Sequence, residues 1–176
     1  MRRADIRVQR PAGWRGAQRG LTLIELAVTL AVLATLAALA WPSFGQQLER
    51  QRLKATAETL ASDFAEARFE AAQRGTPLHL TFARGADWCY AVGTSPGCDC
   101  HTRQRCQLKT VHAADVPGVA LLDSRDAVLD PAGAAPMAAS ALLGTAQGEQ
   151  LRVALSPLGR TRVCAPASSI GRYPRC

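Results

Sequence analysis

Apolar residues follow three rhythms along this chain. Over residues 21–41 they run almost unbroken, and Glu25 is the only charged side chain among them. Further on, Leu53, Ala57, Leu60, Phe64, Ala67 and Ala71 recur at alternating steps of four and three. Beyond Pro77 the apolar positions alternate over short stretches. The first rhythm is long enough to span a bilayer as a helix, because about 20 residues at ~1.5 Å each cover the ~30 Å hydrocarbon core. The second draws one stripe along a helix. Lys54, Glu58, Asp63, Glu66, Arg68 and Glu70 lie between the stripe positions and read as its solvated face. The third is the period-two signature of strands.

These rhythms predict a helix from about residue 22 to about residue 74. Pro42 removes one helix hydrogen bond and is expected to bend or loosen that helix rather than end it. Trp41 suits a membrane interface. Gly75 and Pro77 supply the stop. Strand candidates are 78–82, 88–92, 107–111, 119–122, 127–129, 151–155 and 161–164, the last pair joined across a Pro157/Gly159 turn. Leu78, Leu80 and Phe82 fall on one face. Residues 131–148 are rich in Ala, Gly and Pro and receive no assignment; residues 1–20 show no hydrophobic period and read as an unstructured leader. The expected class is therefore α+β: a long N-terminal helix whose second half packs on a small antiparallel β domain.

Charge changes this picture mainly through its location. The chain of 176 residues carries a formal net charge of +7. The first 20 residues hold six arginines against Asp5, which leaves 15 basic and 13 acidic side chains for the rest. Most of the excess thus precedes the apolar run, as the positive-inside rule expects of a cytoplasmic N-terminus. A second excess lies at the far end. No acidic side chain follows Glu149, whereas Arg152, Arg160, Arg162, Arg172 and Arg175 do. All six cysteines (Cys89, Cys98, Cys100, Cys106, Cys164 and Cys176) also lie beyond the apolar run. An even count in an exported domain favours disulfides. The first four allow three pairings, and a direct Cys98–Cys100 bond would be strained. A Cys164–Cys176 bond would close a terminal loop holding Ser168, Ser169, Gly171, Arg172, Tyr173 and Arg175.

The segment Arg19-Gly20-Leu21-Thr22-Leu23-Ile24-Glu25-Leu26 resembles the type III signal of type IV pilins and type II secretion pseudopilins. The helix exit Ala71-Ala72-Gln73-Arg74-Gly75-Thr76-Pro77, the Ser156-Pro157-Leu158-Gly159-Arg160 turn and the Gly171-Arg172 tail resemble the GspH/FimT branch. The resemblance implies a type IV pilin-like fold. It divides the chain into a removed leader (1–20), a membrane and filament-core helix (21–41), an amphipathic continuation (42–75) and a periplasmic β domain (76–176). Prepilin peptidase would cut after Gly20 and methylate the amino group of Leu21, where the family usually has Phe. The chain would start as a single-pass inner-membrane protein and then join other pilins or pseudopilins in a filament. Glu25 would pair there with a neighbour's N-terminal amine, since each charge alone is costly in a low-dielectric core. The Gly171-Arg172-Tyr173-Pro174-Arg175 segment resembles the arginine-bearing tail of DNA-binding FimT proteins, although its second arginine is spaced differently. Double-stranded DNA is accordingly a candidate partner, held by Arg172 and Arg175, with Tyr173 stacking on a base and Arg160 and Arg162 extending the patch.

Rival chemistries are weaker. Ala38-Leu39-Ala40 could end a secretory signal peptide, but the apolar run exceeds an ordinary h-region and contains Glu25. A zinc site on the first four cysteines with His101 lacks the knuckle spacing, because Cys98-Asp99-Cys100 leaves a one-residue gap. Gly93-Thr94-Ser95-Pro96-Gly97 matches a nucleophile elbow, but no helix is expected after it. His79, His101 and His112 form no metal-binding spacing. The expectation is a structural protein without catalytic residues, metal or cofactor: a minor pilin of the FimT type, with a GspH-like pseudopilin that binds no DNA as the alternative.

Overall fold

The computed structural model describes residues 22–136, 138–166, 170–171 and 173–176, with backbone alone at 39–43. Gly20, Leu21, Ser168, Ser169 and Arg172, and the side chains of Trp41 and Pro42, lie outside this description. Helix α1 covers Leu23–Arg74, so Pro42 does not end it. Gly75 follows with a φ of 64°, a left-handed turn that glycine adopts without steric cost and that stops the helix as expected. The chain divides between Trp41 and Pro42 into two units.

In the first unit, every described side chain over residues 22–38 is exposed. Leu23, Ile24, Leu26, Val28, Leu30, Val32, Leu33 and Leu36 point outward around the whole helix. This is the surface of a helix made for apolar surroundings on all sides.

The second unit is built on the predicted stripe. Leu53, Ala57, Leu60, Phe64, Ala67 and Ala71 are all buried. One residue of the supposed solvated face is not on it: Asp63 is 3 % exposed. Its carboxylate is tolerated because both oxygens are bonded. Tyr90 donates its hydroxyl to Oδ2 at 2.6 Å, and Lys109 Nζ lies 2.5 Å from Oδ1. A buried carboxylate survives only with such partners.

Eight strands follow: β1 Leu78–Ala83, β2 Cys89–Gly93, β3 Gln107–His112, β4 Ala120–Arg125, β5 Ala127–Leu129, β6 Ala139–Gly144, β7 Gln150–Leu155 and β8 Thr161–Cys164. They form two antiparallel sheets, ordered β3-β2-β1-β5 and β4-β6-β7-β8. All seven predicted strands are present. The eighth, β6, arises within the unassigned segment. Its sequence Ala-Ser-Ala-Leu-Leu-Gly lacks the β-branched and aromatic residues that mark strands, and it is held by pairing on both sides, to β4 and β7. Leu78 and Leu80 are buried on one face of β1, with Phe82 packed against the same core. Trp88 is buried just before β2, and its indole N–H donates to Val119 O at 2.9 Å. The inner faces of both sheets and the helix stripe make one core.

Three disulfides are present: Cys89–Cys100, Cys98–Cys106 and Cys164–Cys176. Of the three pairings open to the first four cysteines, the structure adopts the interleaved one, and Cys98 does not bond Cys100. Gly93 makes this possible: a Cβ there would lie 2.8 Å from Cys98 Cβ and 2.9 Å from Cys98 Sγ.

Candidate assembly and nucleic-acid interfaces

The start of α1 isolates Glu25. Thr22 caps the helix, its Oγ1 accepting from the Glu25 N–H at 3.3 Å. Thr29 and Thr35 return their hydroxyls to the carbonyls of Leu26 and Ala31 at 2.9 and 3.0 Å. Each threonine of the described apolar stretch therefore has an internal partner. Among the described residues the Glu25 carboxylate has none. It lies in the first helical turn, where the dipole favours a negative charge.

The far end of the chain is organised by the Cys164–Cys176 disulfide. The two Cα atoms are 5.0 Å apart. Ala165 N–H donates to Pro174 O at 2.9 Å, and Ala165 and Arg175 form a parallel bridge. The returning segment thus extends the edge of β8. Ile170 is buried in the core, and Gly171, with a φ of 65°, passes so close to α1 that a Cβ would meet Lys54 Nζ at 3.1 Å.

Tyr173 is tied down rather than presented. Its ring packs against the core, and its hydroxyl bonds the Glu58 carboxylate. Desolvation, then that hydrogen bond and the negative charge behind it, push the phenol up to about 12. Its polar end is thus committed to α1, and the ring is half-buried.

The arginines fare differently. Arg160, Arg162 and Arg175 are exposed, and none forms an ion pair among the described residues. Arg160 closes the β7–β8 turn. Ser156 N–H donates to Arg160 O at 2.9 Å, and Gly159 N–H donates to Ser156 O at 2.8 Å. Gly159 has a φ of 71°, and a Cβ on it would lie 2.1 Å from Gly133 O. Only glycine fits where these two turns meet. The acidic residues elsewhere are largely engaged: Glu149 with Arg50, Glu70 with Arg74 and Asp123 with Arg84.

The loop of residues 94–106 carries the rival motifs. Gly93 ends β2, and a disulfide-bonded loop rather than a helix follows Ser95. The elbow geometry is therefore missing there. His101 lies beside Cys89 and Cys100, but these two thiols are bonded to each other. Asp99 serves the loop itself, accepting from the His101 N–H and the Thr102 hydroxyl, each at 3.0 Å. Those hydrogen bonds hold its carboxyl below the usual range.

A long helix packed on two antiparallel sheets, with disulfides holding the distal loops, defines a type IV pilin-like fold. Two crystal structures of the Pseudomonas aeruginosa type IV minor pilin FimU share it. One aligns with a TM-score of 0.51 at 16 % identity, covering 66 % of this chain and 98 % of that one. The other gives 0.52 at 18 %, covering 68 % and 96 %. Residues 56–159 match the family described as Type II transport protein GspH, and the chain belongs to that family. Residues 15–41 match the prokaryotic N-terminal methylation motif. No curated protein matches the chain.

The protein is thus a pilin- or pseudopilin-like structural subunit with a prepilin-type N-terminus, and its family and structural neighbours are structural pilins rather than enzymes. Among the described residues no helix is long and apolar enough to cross a membrane; the described side chains of the apolar run stop at Ala38.

Proposed function

We propose that this chain is a minor pilin of the FimT type, a type IV pilus subunit that binds double-stranded DNA at its C-terminal end during natural transformation. Prepilin peptidase cuts after Gly20, and the new amino group is that of Leu21. Before assembly the chain sits in the inner membrane, N-terminus cytoplasmic and β domain periplasmic. Glu25 then engages the N-terminal amine of a neighbouring subunit. The reading of Glu25 is supported by its isolation: each threonine around it has a partner, while the carboxylate has none among the described residues. A lone charge in an apolar helix costs roughly 2.5–3.5 kcal/mol at mid-bilayer, which an amine partner would offset.

One observation carries the DNA reading. Arg160, Arg162 and Arg175 are exposed, with no acidic partner among the described residues, at one edge of one sheet, where the Cys164–Cys176 bond returns the terminus to β8. Guanidinium groups bind phosphates bidentately and stay charged. Arg172 belongs to the same proposed surface by sequence. The GspH match favours a second reading, a minor pseudopilin of a type II secretion system with no DNA binding.

Retardation of duplex DNA by the purified protein separates the two. Binding that weakens in Arg172→Ala with Arg175→Ala supports the pilus reading. Absence of binding at low salt, together with a secretion defect and normal transformation in the deletion strain, supports the pseudopilus.

A further inference from the structure

The register of the second sheet places more arginines together than the terminal loop alone. Arg125 on β4 faces Ser140 on β6, Ser140 faces Ala154 on β7, and Ala154 faces Arg162 on β8. Residues paired across antiparallel strands point to the same side. These four therefore form one row across all four strands. The next row on that side is Asp123, Leu142, Arg152 and Cys164. The opposite side is the core side, shown by the buried Leu151, Val153 and Leu155 on β7 and Ala139, Ala141 and Leu143 on β6. The outer face thus carries Arg125, Arg152 and Arg162, with Cys164 joining it to the segment that holds Arg175.

Its charge is close to uncontested. Asp123 is the one acid in the two rows, and Arg84 Nη1 lies 3.5 Å from it. Asp126, beside Arg125 in sequence, accepts from the Phe82 N–H at 3.0 Å on the other sheet. Among the described residues Arg125, Arg152 and Arg162 have no ion-pair partner. Arg125 and Arg162 are exposed, while Arg152 is half-buried and its Nε lacks a hydrogen-bond partner. Between the outer arginines stand only Ser140 and Ala154, two small side chains that leave the middle of the row low. Strands about 4.8 Å apart put Arg125 and Arg162 about 14 Å apart across three steps. That span is comparable with the roughly 12 Å width of the DNA major groove.

We infer that the outer face of the β4-β6-β7-β8 sheet is the platform on which duplex DNA lies, with Arg125 and Arg162 gripping phosphates on either side of a groove. This deepens the DNA-binding reading above and rests on it. The strands are fixed by pairing along this row, so the backbone positions of Arg125 and Arg162 are set before binding. No base-edge readout is built into Ser140 or Ala154 at this distance, so the contact is to the backbone and independent of sequence.

The test uses the full-length protein in detergent and a fluorescein-labelled 30-base-pair duplex, with anisotropy titrations over a salt series. Wild type is compared with Arg125→Gln, Arg162→Gln, their double variant, and Arg105→Gln on the disulfide-bonded loop. Each phosphate contact contributes about 0.9 to the slope of log K against log salt. The platform predicts that R125Q and R162Q each reduce the slope by about one and the double variant by about two. R105Q leaves it unchanged. Thermal unfolding reports whether each variant is folded, and exposed Arg125 is replaceable without loss of packing. A wild-type slope in R125Q, with binding weakened by Arg172→Ala and Arg175→Ala, overturns the platform and leaves the terminal-loop reading standing. Equal losses in R105Q and R125Q also overturn it, because the attraction would then be diffuse. Failure of wild type to bind the duplex at low salt overturns both.

Discussion

The two ends of α1 share a backbone and differ in what surrounds them. Over residues 22–38 the helix is apolar on every side and every described side chain is exposed. Over residues 53–71 one stripe of apolar positions is buried in the chain's own core, while Phe69 stays exposed outside it. The second stretch finds within the molecule the partner its sequence requires. The first does not find one among the described residues. Hydrophobic surface left in this way marks a place for a membrane or another protein. On the proposed function, stability and assembly fall to different turns of the same helix, and substitutions should separate them.

The largest separation is expected at the stripe. Phe64→Ala should destabilise the domain by about 3–5 kcal/mol, from lost burial and the cavity left behind. Leu30→Ala, on the exposed stretch, should leave the domain's unfolding transition in place. Urea denaturation of both variants checks this, and equal losses would break the contrast. Asp63→Ala comes next. It leaves the buried Tyr90 hydroxyl without its acceptor, a cost of up to about 3 kcal/mol, while the half-exposed Lys109 ammonium can turn to solvent. The paired replacement Cys164→Ser with Cys176→Ser should cost a comparable amount, about 2–4 kcal/mol. It should also release Arg175 from β8, which backbone amide exchange at Ala165 and Cys176 would detect.

A smaller effect is expected from pH. Burial and the Asp63 carboxylate push the Tyr90 phenol up, and desolvation with Glu58 raises Tyr173 to about 12. Phenols raised in the folded state bind protons that the unfolded chain gives up near pH 10. Their contribution is thus complete below about pH 10 and declines as pH rises toward and past 12. The urea midpoint should fall between pH 9.5 and pH 11.5, and Tyr173→Phe should flatten part of that fall. A midpoint constant over that window would show that these phenols titrate normally.

What sequence could reveal followed periodicity. The stripe and seven strands were legible because burial imposes steps of three and four on helices and of two on strands. Strand β6 was not, because small residues such as Ala139, Ser140 and Ala141 carry no strand preference of their own and depend on neighbours far away in sequence. Asp63 was misread for a related reason. Its position beside the stripe looked solvated until β2 and β3 brought Tyr90 and Lys109 to it. The disulfide pairing depended on Gly93 leaving room for Cys98, a contact that spacing does not encode. Of the candidate site, Glu25 and the exposed Arg160, Arg162 and Arg175 were visible as unusual charges. The place of Arg125 beside them was not, since only strand register aligns it with Arg162. The hydrogen bond of the Tyr173 hydroxyl to Glu58 was not legible either, since it depends on the terminus returning to α1.

The central claim is that the exposed stretch of α1 is an assembly surface and Glu25 its electrostatic contact. It is tested most directly by Glu25→Ala in the otherwise intact chain, comparing the protein in sheared filaments with that in whole cells by immunoblot, alongside the mass of the processed N-terminus. The account predicts that the variant is made, cut after Gly20 and retained in the membrane fraction, yet lost from filaments. Glu25→Ala protein present in filaments at the wild-type proportion would contradict it.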